Sequence, residues 1–141
     1  KVLDGDVLRL GINKDLGFSM EDRTENIRRT AELAKQLISC GVVVICSLIT
    51  PTNDLRTLAE EIIGEQHFIL YHIATPIDVC ELRDVKGHYA KARSGEIKNF
   101  TGISNPFEMI TNAVFSIDTS TLTVSNSVSI LFDDIFPLIT I

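Results

Sequence analysis

Seven consecutive residues, Val42-Val43-Val44-Ile45-Cys46-Ser47-Leu48, constrain the fold most strongly. The run is β-branched and continuously apolar rather than alternating. That predicts a strand covered on both faces, as inside a parallel sheet. Helical patterns lie on either side of it. Before it, Ser19-Met20-Glu21-Asp22 has capping-box character, with acids early in the turn. Ile27, Ala31, Ala34 and Ile38 then recur at helical spacing, Arg28, Arg29, Glu32 and Lys35 fill the other side, and Gly41 supplies a stop. After it, Thr50-Pro51-Thr52-Asn53-Asp54 is loop and cap chemistry, and Leu55 to Ile63 reads as a helix ending near Gly64.

The alternation continues along the chain. Val2 to Asp4 reads as the end of a strand and His67 to Ile73 as another. Thr75 is expected to cap a short helix, with Pro76 at its first position and Ile77 to Arg83 as its body. Asp84 to Pro106 reads as an irregular flap, and Val114 to Asp118 as a short strand. Val124, Val128, Leu131, Ile135 and Leu138 mark a final helix. Strands alternating with helices predict an α/β fold: a three-layer parallel sheet with helices on both faces, as one domain over residues 1–141.

Composition excludes several classes. The longest apolar run is strand-sized, too short to span a bilayer, and no membrane partner is expected. Net charge is −6, which argues against a nucleic-acid partner. It does not exclude a small anionic ligand, because local cation clusters outweigh the total. No signal peptide is visible. Cys40, Cys46 and Cys80 form no C-x-x-C pair and are expected to be reduced thiols of a cytoplasmic protein. His67, His72 and His88 show no metal-ligand spacing with them.

Ligands of such sheets bind beyond the carboxyl ends of the strands. Asp4 and Asp6, then Thr50, then Ala74-Thr75 fall at those ends. Two acids on an extended segment can face one side, and can hold Mg²⁺ through water or accept a hydroxyl proton. They can equally be turn acids beside Gly5. Arg9 and Arg23 carry forks suited to phosphate or sulfate. Arg28 and Arg29 read as solvated helix-face charges. Phe18 and Phe100 lack apolar periodic neighbours, so each is either a core anchor or a stacking platform for a base. The cation-rich stretch Lys91 to Ile103 is either a solvated loop or a lid over an anion. No Gly-x-x-x-x-Gly-Lys-Ser/Thr loop occurs anywhere in the chain.

These residues resemble the adenylylsulfate kinase family. The matching stretches are Leu3-Asp4-Gly5-Asp6, Arg9, Asn13-Lys14-Asp15-Leu16-Gly17-Phe18-Ser19, Glu21-Asp22-Arg23, Glu25-Asn26-Ile27-Arg28-Arg29 and Arg83-Asp84-Val85-Lys86-Gly87. Tyr89, Lys91-Ala92-Arg93 and Gly95-Glu96-Ile97-Lys98-Asn99-Phe100-Thr101-Gly102-Ile103 extend the match. The resemblance implies a phosphate-loop kinase fold and ATP-dependent phosphorylation of the ribose 3′-hydroxyl of adenylyl sulfate. In the family a first strand, phosphate loop and first helix precede the Asp-Gly-Asp strand. The sequence here is therefore expected to begin inside the kinase domain, with residues 84–106 as its lid.

The resemblance further implies Asp6 at the acceptor hydroxyl and the Mg²⁺ shell. Asp4, Arg9, Arg23 and Asn26 would meet the phosphosulfate substrate, and Phe18 and Phe100 would sandwich its adenine. Ile49 and Thr50 would line the same site, with Thr50 offering a hydroxyl to catalysis. Lys86 and Asn99 would close over it. Arg83 would lie against the adenine of ATP, with Ser120, Thr121 and Leu122 on its far side. A homodimer is implied, with fusion to or association with a sulfate adenylyltransferase left open. The chain departs from the family at Thr50-Pro51-Thr52-Asn53, where Ser-Pro-Tyr-Arg is usual, so Asn53 replaces a cation. Phe107 to Thr111 is also looser than the family pattern. Two other readings stay in play: a nucleotide-binding module without turnover, and a nucleoside monophosphate kinase.

Overall fold

The structure, a computed structural model, describes residues 1–111 and 113–139. It begins with β1 (Val2–Asp4), α1 (Gly5–Leu10), α2 (Met20–Ser39), β2 (Ile45–Ser47) and α3 (Asn53–Ile63). A 3-10 turn at Glu65–His67 leads to β3 (Tyr71–Ile73), α4 (Ile77–Arg83), α5 (His88–Arg93), β4 (Phe115–Ile117) and α6 (Val124–Ile139). The strands pair in parallel as expected, in two separate pairs. β1 pairs with β2 in the register Val2–Ile45, and β3 pairs with β4 in the register Tyr71–Phe115.

The long helix α2 forms where its sequence predicts. Ser19 caps it, its hydroxyl accepting from the Asp22 N–H at 3.1 Å. Its apolar stripe sinks Ile27, Ala31 and Ala34 against the rest of the fold. Gly41, at φ 76°, ends it: the Gly41 N–H bonds Ile38 O at 2.8 Å and the Val42 N–H bonds Leu37 O at 3.2 Å. This double closure is available to glycine without strain. It also explains why β2 is shorter than the apolar run. Val42 is engaged in ending the helix, and pairing with β1 starts only when the Ile45 N–H reaches Lys1 O at 2.8 Å.

Leu3, Leu8 and Ala34 form the central core, with Leu33, Leu37, Val44 and Ile63 packed around them. A second feature corrects the expectation that β2 is covered on both faces. Ile45 is 55% exposed. One edge of β2 bonds to β1, while its other side opens on an apolar cavity of about 550 Å³ between the two strand pairs. Ile38 of α2, Tyr71 of β3 and Leu131 of α6 reach the same cavity. α6 carries no fully buried residue. It is tied in by Tyr71, whose hydroxyl donates to Asp134 at 2.5 Å.

Other expectations shift as well. Residues 67–70 do not join β3, because the 3-10 turn takes up the first of them. Pro76, not Thr75, sits at the N-cap of α4, and the Thr75 hydroxyl lies 2.6 Å from that of Thr119. The flap contains a helix, α5, missed from composition. Asp84 nucleates it by accepting from the N–H groups of Tyr89 and Ala90, each at 3.1 Å. Among the described residues no helix is long and apolar enough to cross a membrane.

Candidate functional site

The turn after β1 is helical rather than extended, which separates the roles of its two acids. Asp4 is the N-cap of α1, its carboxylate accepting from the N–H groups of Asp6 at 2.9 Å and Val7 at 3.2 Å. The two acids therefore do not stand side by side on an extended segment, as the sequence had suggested. Asp6, in the first turn of α1, keeps its carboxylate in solvent and pairs with the Lys86 ammonium of the flap. That hydrogen bond and the positive charge behind it hold the Asp6 pKa below its ordinary 3.8.

The loop from Gly11 to Phe18 is pinned by arginines. Arg9 donates to Leu16 O at 3.0 Å and Gly17 O at 2.8 Å. Arg29 donates to Ile12 O at 3.1 Å and grips Asp15 through both terminal nitrogens, at 2.8 and 3.0 Å. Arg29 is thus a strut between α2 and the loop, not the solvated charge expected. Arg28 pairs with Glu25, whose pKa these two arginines pull down to about 2.

The pinned loop presents Phe18 at 57% exposure, so this ring is not a core anchor. Arg9 lies 4.5 Å and Arg23 5.8 Å from its centroid. Arg23 also donates to Phe18 O at 3.2 Å and, across the site, to Asn99 O of the flap at 2.9 Å. Among the described residues, no carboxylate is in ion-pair reach of Arg9 or Arg23. Burial, and then the nearby Arg9 charge, push the Arg23 pKa down. Two uncompensated guanidiniums beside one aromatic face make a place where an anion gains and a cation loses.

These groups line a cleft of about 350 Å³, together with Ser47 at the end of β2 and Leu48 and Ile49 just beyond it. Asn26 lines it from α2 and is only 5% exposed. The structure thus brings Asp4, Asp6, Arg9, Phe18, Arg23, Asn26 and Ile49 to one cleft. Lys86 and the backbone of Asn99 reach it through Asp6 and Arg23. Phe100 follows in a tight turn: its N–H bonds the Ser104 hydroxyl at 2.8 Å and its ring packs edge-on against Tyr89 at 5.0 Å. Asn99, at φ 58°, and Gly102, at φ 86°, shape that turn, and a Cβ on Gly102 would fall 2.7 Å from Ile77 Cδ1.

Arg83 belongs to a second group. It donates to the Thr119 hydroxyl at 3.0 Å, to Thr119 O at 2.7 Å and to Ser120 O at 3.3 Å. The Leu122 N–H turns back to Thr119 O at 3.3 Å, with Thr121 between them. Thr50 stands apart from the polar cleft. It lines the apolar cavity, and its carbonyl accepts from Arg56 Nε at 3.0 Å.

Sequence reading missed Arg56 and Asn13. Arg56 is 1% exposed and also donates to Asn53 Oδ1 at 2.6 Å and Glu108 O at 2.9 Å, under the Phe107 ring. Asn53, which replaces a cation of the family pattern, therefore serves as an acceptor for a buried cation. The only available signal was an arginine beside Leu55 on the apolar side of a helix. Asn13 is fully buried and gave no signal beyond its place in the matched stretch.

For Mg²⁺ the donor set is small. Among the described residues no cluster of three ligating side chains occurs, and Asp6 offers one ionised, exposed carboxylate. That suits a hydrated ion held through water rather than a protein cage.

Residues 1–118 match the family model described as adenylylsulphate kinase. An adenylyl-sulfate kinase of Phocaeicola vulgatus is 51% identical over 139 residues, covering 99% of this chain and 68% of that protein. One from Bacteroides thetaiotaomicron is 50% identical over 139 residues, covering 99% and 69%. The solved Mycobacterium tuberculosis APS kinase CysC, in complex with AMPPNP and APS, superposes with a TM-score of 0.89 at 41% identity, covering 94% of this chain and 77% of that one. On this sequence and structural likeness, the chain belongs to the adenylylsulphate kinase family.

Proposed function

We propose that this chain carries out ATP-dependent phosphorylation of the 3′-hydroxyl of adenylyl sulfate. One observation carries the reading: Arg9 and Arg23 face one cleft without a carboxylate partner, next to an exposed aromatic ring and beside a buried amide. A sulfated adenylate supplies what each lacks, an anion for the forks and a base for the ring. The family membership points to the same substrate pair.

Phosphoryl transfer needs positioning and charge neutralisation more than covalent help. Arg9, Arg23 and Asn26 hold the phosphosulfate, and Phe18 stacks on the adenine with Phe100 closing from the flap. Asp4 shapes the turn that aims Asp6. Asp6 orients the 3′-hydroxyl and takes its proton through the exposed carboxylate that it carries in the first turn of α1. Lys86 leaves Asp6 and turns to the substrate as the flap settles, and Asn99 holds the flap to Arg23. Ile49 lines the substrate side, whereas Thr50, the next residue, faces the apolar cavity and takes no part in holding the substrate. Arg83, with Ser120, Thr121 and Leu122, holds the ATP adenine. Asp6 would hold Mg²⁺ through water, and the ion would supply charge neutralisation at the ATP phosphates. The three free cysteines fit a reducing cytoplasm, and the family resemblance supports a homodimer.

Incubation with MgATP and adenylyl sulfate, with products resolved by phosphorus NMR, tests the reading. A 3′-phosphorylated product is expected. Tight binding without turnover would leave a nucleotide-binding module, and faster turnover of AMP would indicate a nucleoside monophosphate kinase.

A further inference from the structure

Asn13 lies in the pinned loop, fully buried. Its backbone is held by its own N–H to Leu8 O at 2.9 Å and by the Leu16 N–H to its carbonyl at 3.1 Å. Its Nδ2 donates to Asn26 Oδ1 at 2.9 Å, across from α2. Its own Oδ1 is buried with no hydrogen-bond partner among the described residues. A sealed, unsatisfied oxygen lowers stability, and an apolar side chain of the same shape would avoid that loss. The residue is thus poorly explained as a packing element.

Its effect on Asn26 explains it better. An asparagine amide has an accepting end and a donating end, which exchange on a half-turn. With Oδ1 taken by Asn13, Asn26 has only Nδ2 left. No acceptor among the described residues takes those protons, yet the nitrogen is not sealed from solvent. Asn26 lines the polar cleft beside Arg9 and Arg23. We infer that Asn13 is a positioning residue that locks the Asn26 amide in its donor orientation, so that the cleft offers an anion only donors at that point. Unlocked, the amide could turn its oxygen to the cleft and repel the same anion. The inference rests on the adenylyl sulfate reading for its ligand, but not for its geometry.

The geometry is tested first on the wild-type chain, without ligand. In a side-chain amide hydrogen-exchange experiment, the Asn13 NH₂ should be protected and the Asn26 NH₂ should exchange freely. The reverse pattern overturns the proposal, whatever the substrate. The consequence is tested by calorimetric titration with adenylyl sulfate of the wild type, Asn13→Asp, Asn13→Leu, Asn26→Ala and the corresponding double variants. Asn13→Asp places an acceptor opposite Asn26 and should turn its amide, weakening binding about 30-fold; Asn13→Leu should weaken it about 5-fold. In the Asn26→Ala background both effects should shrink to within about 2-fold, since Asn13 acts through Asn26. Full losses that persist in that background would make Asn13 merely structural and overturn the proposal. A wild type that ignores adenylyl sulfate while showing the expected exchange pattern would sink the substrate reading and leave the amide lock standing. Asn13→Leu keeps the test usable if the buried charge of Asn13→Asp prevents folding.

Discussion

Two hollows meet at the carboxyl end of β2, and they are built in opposite ways. The polar cleft is walled by groups whose positions are set by hydrogen bonds: the Asp4 cap, the Arg9 and Arg29 ties to the loop, the Asn13–Asn26 amide pair. The apolar cavity is walled by side chains that face one another across about 550 Å³, and each strand pair is complete without the other. The first hollow has a shape fixed by its own hydrogen bonds. The second has a surface character and little that fixes its width. Substitutions in the cleft should therefore change affinity more than stability, and substitutions on the cavity wall the reverse.

The largest effect is expected where the cavity wall contains a charge. Arg56→Leu removes the donor to Thr50 O, Asn53 Oδ1 and Glu108 O, and should lower stability by about 3 kcal/mol in urea unfolding, because buried acceptors lose a charged partner. A loss below about 1 kcal/mol would show the segment around Glu108 to be held by other contacts. Next, Arg23→Ala should weaken adenylyl sulfate binding about 50-fold, which is about 2.3 kcal/mol, with a much smaller change in unfolding midpoint. An unchanged affinity would remove Arg23 from the site.

Smaller effects sharpen the contrast. Ala59→Leu adds volume to the cavity lining and should raise stability by about 1 kcal/mol, leaving adenylyl sulfate affinity unchanged. Destabilisation would mean the cavity is already set to its width. Ser19→Ala, which removes the α2 cap, should cost about 1 kcal/mol. The pH prediction concerns Asp6. Its folded pKa lies below its unfolded value, so its contribution to stability is present above the unfolded pKa and lost as pH falls through the folded one. Lys86→Met removes the first cause of that depression. In a carboxyl-carbon NMR titration the Asp6 midpoint should move up toward 3.8, and an unmoved midpoint would dissociate Lys86 from the carboxylate.

The sequence made α2 legible almost to the residue, because its cap, stripe and stop all agree. It made α4 legible through the proline at its start, α6 through periodicity, and the family through the long stretches around Asn13 and Asn99. Strand lengths were less legible, since they depend on the partner: β2 is as long as its pairing with β1, not as long as its apolar run. The turn at Asp4-Gly5-Asp6 was misread as extended because its capping acid precedes a helix of only six residues, too short to show a period. Arg29 and Arg56 look in sequence like any helix arginine. Only the loop folded against them shows that they are struts. Asn13 carried no local pattern at all, since its partner is thirteen residues away on another element.

Paired equilibrium titrations of the wild type with adenylyl sulfate and with AMP test the central claim most directly, since the two ligands share the base and ribose and differ at the sulfated end. If Arg9, Arg23 and Asn26 read that end, adenylyl sulfate binds at least about 10-fold more tightly, and the gap narrows as salt rises. Equal affinities for the two, unaltered by salt, would contradict the account.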